Sequence, residues 1–200
     1  MSDCTKITAD ILKNCHDPLL ASISDVIYLI NQDEIDYALS TINGSNPLIL
    51  EDLILKSSSP SYTAFQLEGQ NFSNDHDNAL VKGKYMDGFD HNLMFRIFDN
   101  DPDVKLWIKN ALGSRFVVIV KNKYDNKNKI TTPSDSVYEV LGWEFGLRIS
   151  EITQNKSDVE TKGAWIFKAT CDDVNKEPNP PMTLYKTDLT TTEAIITALL

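Results

Sequence analysis

Alternation of apolar and polar side chains predicts that most of this chain is β-strand. In the segment 62–68, Thr63, Phe65 and Leu67 fall on one face of a strand, whereas Gln66 and Glu68 fall on the other. Segments 92–98 and 143–152 repeat this period of two, and denser runs of β-branched and aromatic residues predict further strands. These further strands lie at 26–31, 48–56, 137–142 and 164–170.

A helix followed by a buried strand is predicted in the middle of the chain. Asp101 suits the N-cap, Pro102 suits the first helical position, and apolar residues recur at helical spacing through 102–112. Gly113 could end the helix in a left-handed conformation. The centre of the next strand, 115–121, is apolar on both faces, so the helix is expected to cover one of them.

Clusters of Asn, Gly, Pro and acidic residues predict the loops. The segment NGSNP at 43–47 is the strongest of them, and the stretches NDHDN and DGFDH, between 74 and 91, are also expected to be loops. Three prolines in 177–181 disfavour regular strand pairing there. Near the end, Thr190 and Glu193 have the spacing of a capping box before a short apolar helix.

These elements predict a mainly β (α+β) fold with one helix on its flank and a short C-terminal helix. The expected organisation is an N-terminal arm or short helix at 1–25, a β-domain at 26–177 and a C-terminal extension at 178–200. Apolar residues make up 42% of the 200, enough for a core. Because no apolar run approaches about 20 residues and MSDCTKITAD does not resemble a signal peptide, we expect a soluble intracellular protein without a membrane partner.

The charge is strongly negative and unevenly distributed. The net charge is −10, which argues against a general nucleic-acid-binding protein. Residues 1–100 contain 6 Lys and Arg against 15 Asp and Glu, whereas residues 101–200 contain 13 against 14. Within the second half, the segment 105–129 contains seven basic residues after the helix start and a single acidic one, Asp125. The basic residues form a local basic stripe that could meet an anionic surface or a second copy.

Few residues suggest a chemical site. Asp75, His76 and Asp77, with Asp87, Asp90 and His91 further on, could ligate a metal, but such residues are also common in solvated turns, which is the preferred interpretation. The acidic run 99–103 lacks the glycine and the twelfth acidic residue of a calcium-binding loop, so a helix cap explains it better. No metal or other cofactor is expected.

The sequence also lacks the motifs of common enzymes. It contains no GxSxG, GxGxxG or GxxxxGK[ST] motif, so neither a serine hydrolase nor a nucleotide-binding enzyme is indicated, and no catalytic residues are assigned. Cys4, Cys15 and Cys171 show no zinc-ligand spacing and are expected to be reduced thiols.

Nine segments in order resemble tail structural proteins of phages that infect Bacteroides-type bacteria, the crAss-like group included. They are NPLILEDLILK, YTAFQLEG, KGKY, DHNLMFRIF, WIKNAL, RFVVIVKNKY, VYEVLGWEFGLRISE, GAWIFKATCDD and YKTDLTTTEAIITALL. The similarity extends from about residue 18 to the end, whereas the first 25 residues and the loop 121–131 are more idiosyncratic.

This resemblance implies a tail-tube-like β-barrel or sandwich and a non-enzymatic virion protein. Such a subunit would form the tail tube or a ring between portal and tail, as a homo-oligomer of six or twelve copies assembled in the host cytoplasm. Its other partners would be further tail or connector proteins and the genomic DNA that passes non-specifically through an acidic lumen. Opposite charges would meet between neighbouring copies, and the candidate contacts are Lys105, Lys109, Arg115, Lys121, Lys123, Asp87, Asp90 and Asp99.

Two alternatives remain. A carbohydrate- or receptor-binding β-sandwich of a phage or bacterial surface could stack a sugar on Trp143 or Trp165, although the alternation at 143–149 groups Trp143 with core positions. A metal-dependent enzyme would use the acidic and histidine residues at 75–91.

Overall fold

The chain forms two β-sheets and two α-helices in the computed structural model, which describes residues 23–58, 61–70, 73–82, 87–123, 137–172 and 174–200. The helices are α1 (Pro102–Ala111) and α2 (Leu189–Leu199), and one 3-10 turn spans Gln32–Glu34. The strands are β1 (Ile23–Asn31), β2 (Thr41–Ile42), β3 (Ile49–Asp52), β4 (Phe65–Glu68), β5 (Asp75–Val81), β6 (Gly88–Ile97), β7 (Phe116–Asn122), β8 (Tyr138–Leu141), β9 (Arg148–Gln154), β10 (Trp165–Thr170) and β11 (Met182–Leu184).

The two sheets confirm the mainly β prediction and decide between the two predicted architectures, a barrel and a sandwich. The larger sheet has the strand order β2-β3-β11-β8-β7-β1-β4, and the smaller one has the order β5-β6-β10-β9. All neighbours are antiparallel except β3 and β11. Within the described residues neither sheet closes into a barrel, so the fold is a sandwich-like arrangement.

Strand β7 lies at the centre of this arrangement, because both of its faces are buried as predicted. Val117 and Ile119 pack into one apolar cluster together with residues of α2. Val118 and Val120 point the opposite way, into a second cluster shared with the smaller sheet and α1. The larger sheet is therefore covered on one face by α2 and on the other by the smaller sheet with α1.

Helix α1 begins as predicted and ends differently. The Asp101 carboxylate accepts a hydrogen bond from the Val104 backbone N–H at 2.8 Å, and Pro102 occupies the first turn. At the other end, Leu112 is the C-cap in a right-handed conformation, and Gly113 does not have a positive φ, so the predicted left-handed cap is wrong. Leu112 is also 59% exposed instead of facing the core.

The C-terminal segment belongs to the larger sheet and its cover. Strand β11 follows the prolines and pairs with both β3 and β8. Helix α2 begins two residues earlier than the capping box predicted, because Asp188 and not Thr190 is the N-cap: its carboxylate accepts a hydrogen bond from the Thr191 N–H at 2.7 Å. Neither described helix is long and apolar enough to cross a membrane.

Three other segments differ from the predicted elements. The stretches NDHDN and DGFDH lie almost entirely in strands, since β5 pairs along its whole length with the first seven residues of β6, and the loop prediction there is wrong. The strand predicted from residue 143 begins at Arg148, because two glycines at positive φ, Gly142 and Gly146, make 142–147 a turn. The strand predicted at 48–56 ends at Asp52.

Candidate assembly surface

Each outer strand of the smaller sheet has one edge that pairs with no other strand of the described residues. Strand β5 pairs only with β6 and strand β9 only with β10 among the strands of the described residues. Each edge strand is seven residues long, so each presents a row of backbone N–H and C=O groups to solvent. Such an edge is a template for pairing with another chain.

The two edges carry few of the features that protect an edge strand. Neither contains proline or lysine, and most side chains of both strands are exposed. Within the described residues the protective features are charged side chains and a bulge, where the register of β9 against β10 shifts between Lys168 and Ala169. Asp75 and Asp77 give the β5 edge a negative charge, whereas Arg148 and Glu151 bring one charge of each sign to β9.

The outer face of the smaller sheet is polar, with charges of both signs. Its inner face carries Leu93, Phe95 and Phe167, which are all buried, so the alternate residues point outward. Lys168 on this outer face bonds Glu151 of the neighbouring strand at 2.6 Å. A shallow cavity of about 310 Å³ runs along the face beside β5.

The five basic residues that were predicted to contact a neighbouring copy lie in different parts of the structure. Lys105 and Lys109 are exposed on α1, without an ion-pair partner in the part of the chain that the structure describes. Arg115 precedes β7 and bonds Asp172 at 2.7 Å, whereas Lys121 and Lys123 lie at the far end of β7, roughly 20 and 26 Å further along the chain. The stripe is therefore split over three places, and its continuation at 124–136 lies outside the described residues.

The two lysines at the end of β7 also have partners within the chain. Lys121 lies 3.1 Å from Glu193 of α2, and Lys123 lies 3.3 Å from Asp25 of β1. Burial lowers the pKa of Lys121, but hydrogen bonds to Glu193 and Tyr138 outweigh it and raise the pKa overall. Both cations are therefore already paired within the chain.

The predicted acidic contacts are similarly dispersed. Asp87 is exposed before β6, Asp90 bonds Lys176 at 3.1 Å, and the Asp99 carboxylate accepts hydrogen bonds from backbone N–H groups just before α1. One oxygen of Asp90 is buried with no hydrogen-bond partner in the structure. A role for these residues between copies stays a prediction.

A buried histidine, His91, fastens β6 to the turn 142–147. The ring Nδ1 accepts a hydrogen bond from the Gly142 N–H at 3.1 Å, and Nε2 donates to the Asn179 carbonyl, also at 3.1 Å. His91 is 2% exposed, and this burial lowers its pKa to about 4. The imidazole is therefore neutral at pH 7, with both nitrogens occupied.

A buried carboxylate, Glu177, holds the same turn from another side. It accepts hydrogen bonds from the backbone N–H groups of Glu144 and Phe145, at 3.0 and 2.8 Å. Its own backbone exchanges two hydrogen bonds with Phe89, so the residue also extends the pairing of β6. Glu177 is 1% exposed, and burial raises the pKa of its carboxyl group.

The buried side chains around the turn 142–147 offer little chemical reactivity. Cys171 is also buried, and its Sγ accepts a hydrogen bond from the His91 backbone N–H at 3.4 Å, not from the ring. Burial raises the pKa of the Cys171 thiol, which disfavours the thiolate that a nucleophile requires. The arrangement satisfies the polar groups of a buried turn.

The candidate metal ligands do not converge. Asp75 and Asp77 are exposed on β5, His76 bonds Glu139 of the other sheet at 3.4 Å, and His91 points into the core. No three His, Cys, Asp or Glu side chains come together as a metal site among the residues that the structure describes.

The tryptophans considered for sugar binding are not free. Trp143 is 4% exposed and packs edge-on against Tyr37, which confirms its predicted core position. Trp165 is partly buried against the core, and its Nε1 donates to Asn100 at 3.1 Å.

Sequence reasoning missed His91 and Glu177 as a structural pair, and no local motif marks them, since both the turn 142–147 and the pairing of 177–179 with β6 bring together distant parts of the chain. The open edges β5 and β9 were also missed, although the alternation of residues 148–154 indicated one of them. Comparison of the chain with protein-family models, curated proteins and solved structures finds no match.

Proposed function

We propose that this chain is a structural subunit of a bacteriophage tail, either in the tail tube or in a connector ring between portal and tail. In this role it assembles into a ring around a channel for genomic DNA. The proposal draws on the sequence resemblance and on one observation of the fold, which is that the smaller sheet has an open edge strand at each end.

The strand directions of this sheet suit a ring. Its four strands alternate in direction, so β5 and β9 at the two edges run antiparallel to each other. Rotation about an axis along the strands keeps those directions and brings β9 of one copy beside β5 of the next, antiparallel to it. Each added copy then extends one antiparallel sheet, which is a heterologous contact of the kind that closes into a ring.

The net charge is compatible with a channel that DNA passes through. At −10 per copy, the assembled ring would repel phosphates and let the duplex slide, whereas a basic lumen would hold it. We therefore expect no retention of DNA by the purified protein at physiological salt. Retention with a steep dependence on salt concentration would contradict this part of the proposal.

Imaging the purified chain by negative-stain electron microscopy at rising concentration tests the assembly directly, and rings or short tubes are expected. Two variants then test the edge, Asn78→Pro and Ala79→Pro in β5. Consecutive residues of a strand direct their N–H groups to opposite sides, so one of the two leaves the β5–β6 pairing intact and blocks only the open edge.

The variant that keeps the wild-type thermal unfolding is the informative one, and we expect it to remain monomeric. Ala79→Thr, which keeps the N–H group, is the matched control and should assemble. Rings formed by the folded proline variant would refute pairing through β5. A wild-type chain that stays monomeric at high concentration, and that no virion protein recruits, would refute the proposed function.

A further inference from the structure

The loop NGSNP, which joins β2 to β3, contains the only Asn-Gly dipeptide of the sequence, Asn43–Gly44. The Asn43 backbone N–H donates to the Ile49 carbonyl at 2.9 Å, so the loop closes a hairpin at the edge of the larger sheet. Gly44 is exposed, and no other group lies within 4 Å of the position that a Cβ would take there. The peptide unit between the two residues is therefore open to water.

The side-chain amide of Asn43 is held in one orientation. Its Oδ1 accepts hydrogen bonds from the backbone N–H groups of Ser45 and Asn46, both at 2.9 Å. Its Nδ2 donates to the Glu51 carboxylate of β3 at 2.5 Å. The contacts of Oδ1 fold the amide back over the loop backbone, as in an Asx-turn.

This arrangement suits attack on the amide carbon by the next backbone nitrogen. Two N–H groups directed at Oδ1 stabilise the negative charge that develops on this oxygen, as an oxyanion hole does. The Gly44 N–H has no hydrogen-bond partner in the part of the chain that the structure describes, and glycine has no Cβ to hinder the approach. Because the two groups belong to adjacent residues, ring closure needs no encounter between molecules.

We infer that Asn43 is a site of deamidation in the folded chain. The Gly44 nitrogen forms a bond to Cγ of Asn43, the Cγ–Nδ2 bond breaks, and ammonia leaves with the proton that Gly44 loses. Water then opens the cyclic imide. Opening at the side-chain carbonyl gives aspartate, whereas opening at the backbone carbonyl gives isoaspartate, in which the main chain runs through Cγ.

Both products disturb the hairpin. In aspartate an oxygen replaces Nδ2, so the donor to Glu51 is lost and two carboxylates face each other. Isoaspartate adds an atom to the main chain, which shifts the loop relative to β3. Strands β5 and β9 belong to the other sheet, so this inference neither rests on the proposed ring nor fails with it.

Incubation of the purified chain for days at pH 7 and physiological temperature tests the site. Peptide mass spectrometry should locate the replacement of an amide by a carboxyl group at Asn43, with both aspartate and isoaspartate formed. Gly44→Ala should react at least about tenfold more slowly, because the added methyl group hinders the approach of the nitrogen. The variant is expected to fold, since φ of Gly44 is not positive and the space beside it is open.

The matched control site is Asn155, in the exposed loop between β9 and β10. Its Oδ1 also accepts a backbone hydrogen bond, from the Ser157 N–H at 3.1 Å, but Lys156 follows it in place of glycine. Asn155 should keep its amide. The folded chain should also deamidate at Asn43 at least as fast as the chain unfolded in urea, because only the fold directs both N–H groups at Oδ1. An intact Asn43 amide in the folded wild type, a folded rate far below the unfolded one, or a Gly44→Ala variant that reacts like the wild type would each overturn the inference.

Asn43→Asp reproduces the aspartate product and tests its effect on the hairpin. The variant should unfold at a lower urea concentration than the wild type at pH 7. Glu51→Gln in the same chain should restore stability, because the glutamine amide donates to the new carboxylate. A variant as stable as the wild type would contradict the expected effect.

Discussion

His91 and Glu177 are ionisable groups placed where water cannot reach them, and the turn 142–147 explains why they are tolerated. That turn brings backbone N–H groups into the interior, and a buried N–H without an acceptor costs about 1–3 kcal/mol. The imidazole and the carboxylate supply three acceptor contacts between them. The backbone N–H groups of the turn in exchange satisfy the Glu177 carboxylate and Nδ1 of His91, and the Asn179 carbonyl satisfies Nε2.

The pKa of His91 predicts a loss of stability in mild acid. The imidazole has a pKa of about 4 in the folded chain and 6.5 when exposed, so the unfolded chain binds the proton more readily. Stability is therefore complete above pH 6.5 and falls as the pH drops towards 4, by up to about 3 kcal/mol. Burial of Glu177 acts in the opposite direction, because a raised carboxyl pKa favours the folded chain as it is protonated.

His91→Gln tests this account, because the glutamine amide can accept from Gly142 and donate to Asn179 without titrating. The variant should lose less stability than the wild type between pH 7 and pH 4, measured as the free energy of unfolding in urea at each pH. Identical pH profiles for the two proteins would show that His91 is not the titrating group.

At this scale the sequence predicted side chains that act locally and could not predict those that act over distance. Asp101 caps α1 as expected, since the cap and its target are three residues apart. His91 and Glu177 are far apart along the chain, and their partners are backbone groups of the turn 142–147 and, for His91, of Asn179, so nothing in their local sequence distinguishes them from surface residues.

Among the elements, β10 and β6 form the centre of the smaller sheet through aromatic contacts. Phe167 stacks on Phe95 with ring centroids 4.8 Å apart, and Trp107 of α1 approaches the Phe167 ring edge-on at 6.0 Å. The same ring therefore joins the two strands to the helix.

Phe167→Ala should destabilise the fold by about 3–5 kcal/mol, because it removes a buried ring and leaves a cavity. The neighbouring Ile166 points to the outer face of the sheet, so Ile166→Ala is the matched control and should cost much less. Chemical denaturation of both variants measures the difference. Equal losses would mean that the two faces of β10 are not distinguished as described.

The spacing of apolar residues predicted a strand or helix correctly where a single pattern ran through the whole segment. Strand β7 and helix α1 follow from an uninterrupted apolar run and from spacing with a cap. Strand β5 was missed because its side chains are mostly polar and exposed, and only pairing with β6 makes DHDNALV a strand. The turn at 142–147 was missed because its Trp and Phe alternate as they would in a strand.

For the whole molecule, the mainly β composition was predictable, whereas the separation into two sheets was not. Strand order depends on contacts between distant segments, such as β11 beside β3. The charge asymmetry was visible in the sequence, but several of the charged residues form ion pairs within the chain, as Lys123 does with Asp25. Among the described residues both sheets have open edges, and those of the smaller sheet, β5 and β9, are the longer ones at seven residues each.

Hydrogen exchange on the assembled protein tests the proposed edge contact most directly. If rings form as proposed, the outward N–H groups of β5 and β9 enter new backbone hydrogen bonds. Their exchange should then slow strongly in the assembled state relative to the monomer, at both edges together. Exchange at β5 and β9 that stays as fast in the assembled protein as in the monomer would contradict the account.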